Sequence, residues 1–124
     1  MYSVFRITGQ PNGSDIPGTI DALKASIDVE RPEAATDRRG GDGFAVVISS
    51  SSEWDDHLRL LTSFVSTFAD QIAEATRLGV GVTFDVAIEP GDEGKAPFKS
   101  VRFETELLAL LSSAGVGVEV TRYP

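Results

Sequence analysis

A broad apolar stripe between Glu53 and Leu78 constrains the fold of this chain more than any other feature. Apolar side chains alternate there at spacings of four and three residues, the period of a helix with one buried face. The stripe consists of Trp54, Leu58, Leu61, Val65, Phe68, Ile72 and Ala75. Leu60 and Phe64 widen it beyond a coiled-coil seam, so we expect this helix to pack on a sheet.

The same helix contains a weak region and a stop signal. We expect it to break near a hydroxyl-rich cluster, since hydroxyl groups compete with the backbone for hydrogen bonds. That cluster is Thr62, Ser63, Ser66 and Thr67. Gly79 follows the last apolar residue and is well placed to end the helix.

Strand patterns surround the long helix. The cleanest alternation runs from Val80 to Glu89, with Phe84 among the residues that face the core. Further strands are predicted over Tyr2 to Thr8, Phe44 to Ser50 and Val116 to Tyr123. The second of these is apolar on both faces, which is typical of a central strand. A brief strand around Ile27 to Arg31 and a short edge strand over Phe98 to Phe103 complete the prediction.

Two shorter helices are also predicted. Ile16, Ile20, Leu23 and Ile27 form one helical stripe, and Pro32 bars its continuation. A second helix spans Glu104 to Ala114 and stops at Gly115.

The order of these elements predicts a single α+β domain over residues 1–124. We expect a two-layer sandwich of ferredoxin-like character, in which a mixed or antiparallel sheet of about five strands carries its helices on one face. A core of Trp54, Leu58, Leu61, Val65, Phe68 and Phe84 is predicted between the layers.

Composition argues against several classes of function. Lys and Arg number 11 and Asp and Glu 19, and a formal charge of −8 disfavours nucleic-acid binding. Without Cys and with one His, the chain lacks the ligands of a thiolate or multi-histidine metal site. Gly9-x-x-x-Gly13 lacks the Lys-Ser/Thr of a phosphate-binding loop. We therefore expect no metal, nucleotide or other cofactor.

The cellular location is predicted from two sequence patterns that the chain lacks. No apolar run approaches the length of a membrane span, and no signal-peptide pattern opens the chain. We expect a cytoplasmic protein without membrane association.

One cluster of side chains invites a catalytic hypothesis. Glu53, Asp55, Asp56 and His57 lie together at the start of the long helix, where carboxylates and an imidazole are able to act as acid and base. Acids in a first helical turn also stabilise the helix dipole. We expect His57, which lies off the Trp54 stripe, to be solvated. Ser50, Ser51 and Ser52 are predicted to form the preceding strand-to-helix turn, where a capping hydroxyl is expected.

The uncovered sheet face is the predicted partner-binding surface. If all helices cover one face, alternation leaves a mixture of aromatic, small apolar and charged residues on the other. Its candidate contact residues are Tyr2, Arg6, Val47, Thr83, Asp85, Glu119 and Tyr123. Tyr and Arg are enriched at interfaces, and a symmetric homodimer or a different protein are both able to use such a face.

A set of short motifs runs along most of the chain. Phe5-x-Ile7-x-Gly9 opens the chain, and the turn at Pro32 is followed by a Gly-rich loop. Next comes a helix with His57, Leu58 and Leu61, then Glu106-Leu-Leu-x-Leu-Leu-x-x-x-Gly115, and a final strand ending in Tyr123. This overall pattern resembles a family of small bacterial proteins known as domain of unknown function 4279. The resemblance implies no reaction, cofactor or catalytic residue.

We therefore expect a non-enzymatic protein-interaction domain. Small size and strong acidity suit an immunity or inhibitor protein that covers a basic site on its partner. A structural homodimer without ligand is the first alternative. A small-molecule binding or hydrolytic domain using Glu53, Asp55, Asp56 and His57 is the second.

Overall fold

The computed structural model describes residues 1–9, 16–37, 43–89 and 101–123. Within these ranges the chain alternates between strands and helices in a regular order. The elements are β1 (Tyr2–Thr8), α1 (Ile16–Glu30), β2 (Ala35–Asp37), β3 (Gly43–Ser49), α2 (Trp54–Arg77), β4 (Gly81–Ile88), α3 (Thr105–Ser113) and β5 (Gly117–Arg122).

The strands form one sheet in the order β2-β3-β1-β4-β5. Neighbours are antiparallel from β2 to β4, whereas β5 is parallel to β4 and is reached through α3. The predicted α+β sandwich with a mixed five-stranded sheet is confirmed. Its ferredoxin-like character stays a prediction.

The core lies between the sheet and the helices. Strand register places Phe5 beside Val46 on β3 and Phe84 on β4, and all three are buried. Helix α2 contributes a matching set of buried residues from its inner face. These are His57, Leu61, Phe64, Val65, Phe68, Ile72 and Ala75. Of the predicted core, Trp54 and Leu58 are instead half-buried at its margin.

Helix α2 departs from helical geometry at Phe68, where φ is −111° and ψ is 17°. The kink follows directly after the hydroxyl cluster, where the Thr67 hydroxyl donates a hydrogen bond to the Ser63 carbonyl four residues earlier. Such bonds bend helices. Gly79 ends the helix as predicted and adopts a φ of 98°, which is unfavourable for residues with a side chain.

Two strand predictions are wrong in the described part of the chain. The segment Ile27 to Arg31 is not a strand, because α1 continues to Glu30 with Ile27 fully buried beneath it. The short strand lies beyond Pro32, as β2. Residues 101–103 are not a strand either, and Phe103 there packs its ring against Trp54 and Phe84. Residues 98–100 and the loop through Gly13 lie outside the described ranges.

None of the described helices combines the length and the apolar character that crossing a bilayer requires.

Candidate functional site

A buried hydrogen-bond chain centres on His57 at the start of α2. The Ser3 hydroxyl lies 2.6 Å from Nδ1, and the Ser51 carbonyl oxygen lies 2.7 Å from Nε2. A carbonyl can only accept, so Nε2–H is the donor of the second contact. In the tautomer that carries only this proton, Nδ1 accepts from the Ser3 hydroxyl. This contact joins residues 54 positions apart in sequence, and it connects β1 to the first turn of α2.

Trp54 closes this group from the outside, and we name Ser3, Ser51, Trp54 and His57 the His57 cluster. The indole stacks on the imidazole with ring centroids 5.7 Å apart and planes 22° apart. Its Nε1 donates a hydrogen bond to the Arg102 carbonyl at 2.9 Å, which attaches the segment before α3 to the same place. Three distant parts of the chain therefore meet here.

The expectation that His57 is solvated is wrong, because its side chain is fully buried. Both ring nitrogens have hydrogen-bond partners, which removes most of the cost of burying a polar ring. The sequence contains a second helical spacing that indicates burial of His57, and the spacing of the Trp54 stripe made it easy to overlook. His57 lies four residues before Leu61 and eight before Val65, so it extends the stripe that is buried.

The three carboxylates of the catalytic hypothesis do not join His57. Glu53 and Asp55 are exposed, and Asp56 is half-buried beside the Ser51 hydroxyl at 2.7 Å. That hydrogen bond, with a smaller attraction from Arg59, holds the pKa of Asp56 below its ordinary value. Within the described residues, no group of three or more His, Asp and Glu side chains is arranged to hold a metal ion.

Ser51 organises the turn before α2 in a way that differs from the predicted cap. Its hydroxyl accepts a hydrogen bond from the Glu53 backbone N–H at 3.0 Å, and its own N–H donates to the Ser49 hydroxyl at 3.1 Å. The residue at the cap position is Glu53, which makes no side-chain capping bond. The serines therefore order the turn and hold the Ser51 carbonyl towards His57.

The Ser3–His57 contact has the length of a nucleophile–base pair, but its environment is structural. A nucleophile must reach a substrate, whereas both side chains here are fully buried. Every buried side-chain nitrogen and oxygen among the described residues has a hydrogen-bond partner, so no polar group is left pointing towards a missing ligand. The Ser3–His57 contact therefore stabilises the fold.

The opposite face of the sheet carries the residues predicted to bind a partner, and we name it the open face. Strand pairing places Val4 between Val47 and Asp85, and Arg6 between Ala45 and Thr83. On the neighbouring edge strand, Glu119 pairs with Asp85 and Thr121 with Ala87. Val47 is 44% exposed and Tyr123 is 48% exposed. Strand pairing thus brings Tyr2, Arg6, Val47, Thr83, Asp85 and Glu119 onto one surface. Tyr123 directly follows β5, where its N–H donates a hydrogen bond to the Ile88 carbonyl, and alternation from Glu119 and Thr121 assigns its ring to the same face.

An ion pair lies in the middle of the open face. The Arg6 guanidinium contacts the Asp85 carboxylate at 2.5 Å, and the Thr121 hydroxyl lies 3.5 Å from the same carboxylate. Asp85 was expected to point away from the core, and its strand position agrees. However, it is only 4% exposed, whereas Arg6 is 46% exposed. Its neighbours on the open face cover it.

A hollow lies beside this ion pair towards the Thr8 end of β1. Its volume is about 360 Å³, and its lining includes Arg6, Thr8, Ala45, Thr83 and Glu119. Sites of this size accommodate a large side chain or a small molecule. The open face therefore combines exposed side chains with a hollow that is large enough to bind a side chain.

Comparison with known proteins does not assign this chain to a family. No protein-family model matches the chain, and neither a curated protein nor a solved structure is significantly similar to it. The resemblance to domain of unknown function 4279 stays a prediction.

Proposed function

We propose that this chain is a non-enzymatic protein-interaction domain that binds a protein partner on its open face. The observation that carries the proposal is the Arg6–Asp85 pair, in which a nearly buried carboxylate holds an accessible guanidinium in the middle of a sheet face. Arginine held in this way is a frequent anchor of protein interfaces. The hollow beside it offers space for a partner side chain.

The residues around the ion pair support the same function. A face adapted only to water is expected to carry many Lys and Glu side chains. This one exposes Val47 and Tyr123, and none of the residues that the structure describes on it is a Lys. A second core, in contrast, would exclude Arg6 and Glu119. Apolar and aromatic contacts surrounded by a polar rim are the usual composition of an interface.

The His57 cluster does not favour the hydrolytic alternative. Its imidazole uses both nitrogens in internal hydrogen bonds, and its serine hydroxyl has no exposed surface. A substrate would have to displace Trp54, which is itself bonded to the Arg102 carbonyl. We assign the cluster a role in stability.

The overall acidity suggested an immunity or inhibitor role. That role is supported by the net charge of the chain and not by the composition of the open face. The open face has one basic and two acidic residues among its candidate contacts: Arg6, Asp85 and Glu119. The acidic surplus therefore lies elsewhere on the chain. Such a role stays a prediction for the acidic side of the molecule.

Photo-crosslinking in cells of the native host tests the proposed function. A photoreactive amino acid at Val47 is expected to form a covalent adduct with a protein, identified by mass spectrometry of the linked peptides. The matched control carries the probe at Val29, an exposed valine on α1. The proposal holds if Val47 gives an adduct that Val29 does not. It fails if neither position, or both equally, form adducts.

A further inference from the structure

We propose that the partner on the open face is a second copy of this chain, related by a twofold axis, with Tyr123 of each copy inserted into the hollow of the other. This inference rests on the proposed function and specifies its partner. It follows from two independent observations, one on shape and one on charge.

The shape argument is that an exposed aromatic ring and a hollow occupy opposite ends of one face. Thr8 and Thr83, in the lining of the hollow, lie near the Gly81 end of β4. Tyr123 follows Arg122, which pairs with Ile88 at the other end. Tyr123 lies four positions after Glu119, about 13 Å along a strand. A twofold axis across the strands exchanges the two ends, so both rings enter hollows simultaneously.

The chemistry of the hollow suits a tyrosine. The ring needs contact with small side chains and methyl groups, which Ala45, Thr8 and Thr83 offer. The phenolic hydroxyl needs a hydrogen-bond partner when it is buried, and Glu119 and Arg6 lie in the same lining. A half-exposed tyrosine on the same face is thus a side chain that this hollow is able to bind.

The charge argument is that two copies repel each other least across the open face. The three helices carry eight acidic and three basic residues, whereas the Arg6–Asp85 pair neutralises itself on the open face. A strongly basic partner would be attracted to the helices. Among the described residues, a second molecule of charge −8 meets less repulsion on the open face than on the helices, because few unpaired charges face each other there.

Sedimentation equilibrium of the purified chain tests the inference with two variants. Tyr123→Ala removes the ring, and Ala45→Phe fills the hollow. The wild type is expected to dimerise, and each variant to dimerise about tenfold more weakly or worse. Leu108→Ala is the matched control, because Leu108 on α3 is 46% exposed, close to the 48% of Tyr123. Circular dichroism verifies the folds, and Glu119→Trp replaces Ala45→Phe if that variant does not fold.

Mixing the two variants isolates the proposed geometry. Tyr123→Ala keeps its hollow and Ala45→Phe keeps its ring, so a heterodimer retains one of the two contacts while each homodimer retains none. The dissociation constant of the mixture is expected to lie between those of the wild type and of either variant alone. A mixture that associates no better than its components overturns the insertion of Tyr123 into the hollow.

Salt distinguishes this dimer from binding to a basic protein. Raising the ionic strength from about 0.01 M to 0.15 M shortens the Debye length from about 30 Å to 8 Å. Dimerisation of an acidic chain should strengthen, because the repulsion between copies is screened. Dimerisation that weakens with salt contradicts the charge argument.

The inference and the proposed function fail in different ways. A wild type that stays monomeric at all concentrations, while the probe at Val47 links a different protein, overturns the second copy and leaves the interaction domain standing. A Val47 probe that links nothing overturns both.

Discussion

Two polar groups lie on opposite faces of β1, and they differ in how much of their side-chain surface is exposed to solvent. Ser3 points to the helix side, where it bonds to His57, and Arg6 points to the open face, where it pairs with Asp85. On the helix side both partners are fully buried. On the open face the carboxylate is 4% exposed, but the guanidinium is 46% exposed.

This difference separates a structural group from a binding group. Ser3 and His57, at the centre of the His57 cluster, are fully buried by this chain's own residues, and their hydrogen bonds are complete without another molecule. The Arg6–Asp85 pair is complete as an ion pair, yet one partner still presents surface to whatever approaches. Satisfied and enclosed polar groups stabilise a fold, whereas satisfied and accessible ones are able to recognise a partner.

The largest expected effect comes from the packing that encloses the helix side. Leu61→Ala removes a fully buried side chain and should lower the free energy of unfolding by about 2–5 kcal/mol, through lost burial and a residual cavity. Urea denaturation followed by circular dichroism measures the change. Leu78→Ala, at the exposed C-cap position that follows the same helix, is the control and should change stability little. A loss below about 0.5 kcal/mol for Leu61→Ala would show that the stripe is not packed.

Breaking the His57 cluster should have the next largest effect. His57→Leu leaves the Ser3 hydroxyl and the Ser51 carbonyl buried without partners, at a cost of about 1–3 kcal/mol in the free energy of unfolding. Adding Ser3→Ala removes one of the unpaired groups. The double variant should therefore be more stable than the sum of the two single losses implies. Strictly additive losses in urea denaturation would contradict a coupled cluster.

A smaller loss of stability is expected when the ion pair on the open face is broken. Arg6→Ala leaves Asp85 without its cation, but water reaches this face and replaces part of the interaction. We expect a loss of about 1 kcal/mol in the free energy of unfolding, measured by thermal and urea denaturation. Arg102→Ala, which removes an exposed arginine beside Glu104, is the control and should have almost no effect. A loss larger than that of His57→Leu would reverse the contrast between the faces.

The smallest effect concerns the turn next to the His57 cluster. Ser51→Ala removes the hydroxyl that lowers the pKa of Asp56, yet keeps the backbone carbonyl that binds His57. The pKa of Asp56 should rise towards its ordinary value, as NMR titration would show, whereas Ser52→Ala should leave it unchanged. An unchanged Asp56 pKa in Ser51→Ala would exclude the Ser51 bond as its cause.

The same pKa sets a direction for stability. A carboxyl group whose pKa is lowered by folding stabilises the native state above its unfolded pKa. That contribution disappears as the pH falls through the folded pKa. The wild type should therefore lose more stability on acidification than Ser51→Ala does.

Periodicity explains why much of the fold was predictable. The stripe of α2 and the alternation of β4 are local patterns, and both elements lie where those patterns indicate. The end of α2 at Gly79 was also predictable, because the positive φ there depends only on the glycine and its immediate neighbours. The same local reasoning placed Arg6 and Val47 on the face away from the helices.

The environment of the polar residues was not predictable in this way. His57 is buried because Ser3 reaches it from another element, and Asp85 is covered because Arg6 and Thr121 lie across it on neighbouring strands. These partners are distant in sequence, and no local period specifies them. The hollow on the open face likewise requires the relative positions of several strands.

Hydroxyl-radical footprinting over a range of protein concentrations tests most directly whether the open face is the interaction surface. Tyr123 and Leu108 have nearly equal exposure, 48% and 46%, but only Tyr123 lies on the face that we expect to become covered. Oxidation of Tyr123 should fall as the concentration rises, while oxidation of Leu108 stays constant. If Tyr123 remains equally reactive at every concentration, or if Leu108 becomes protected in its place, the open face is not where copies of this chain meet.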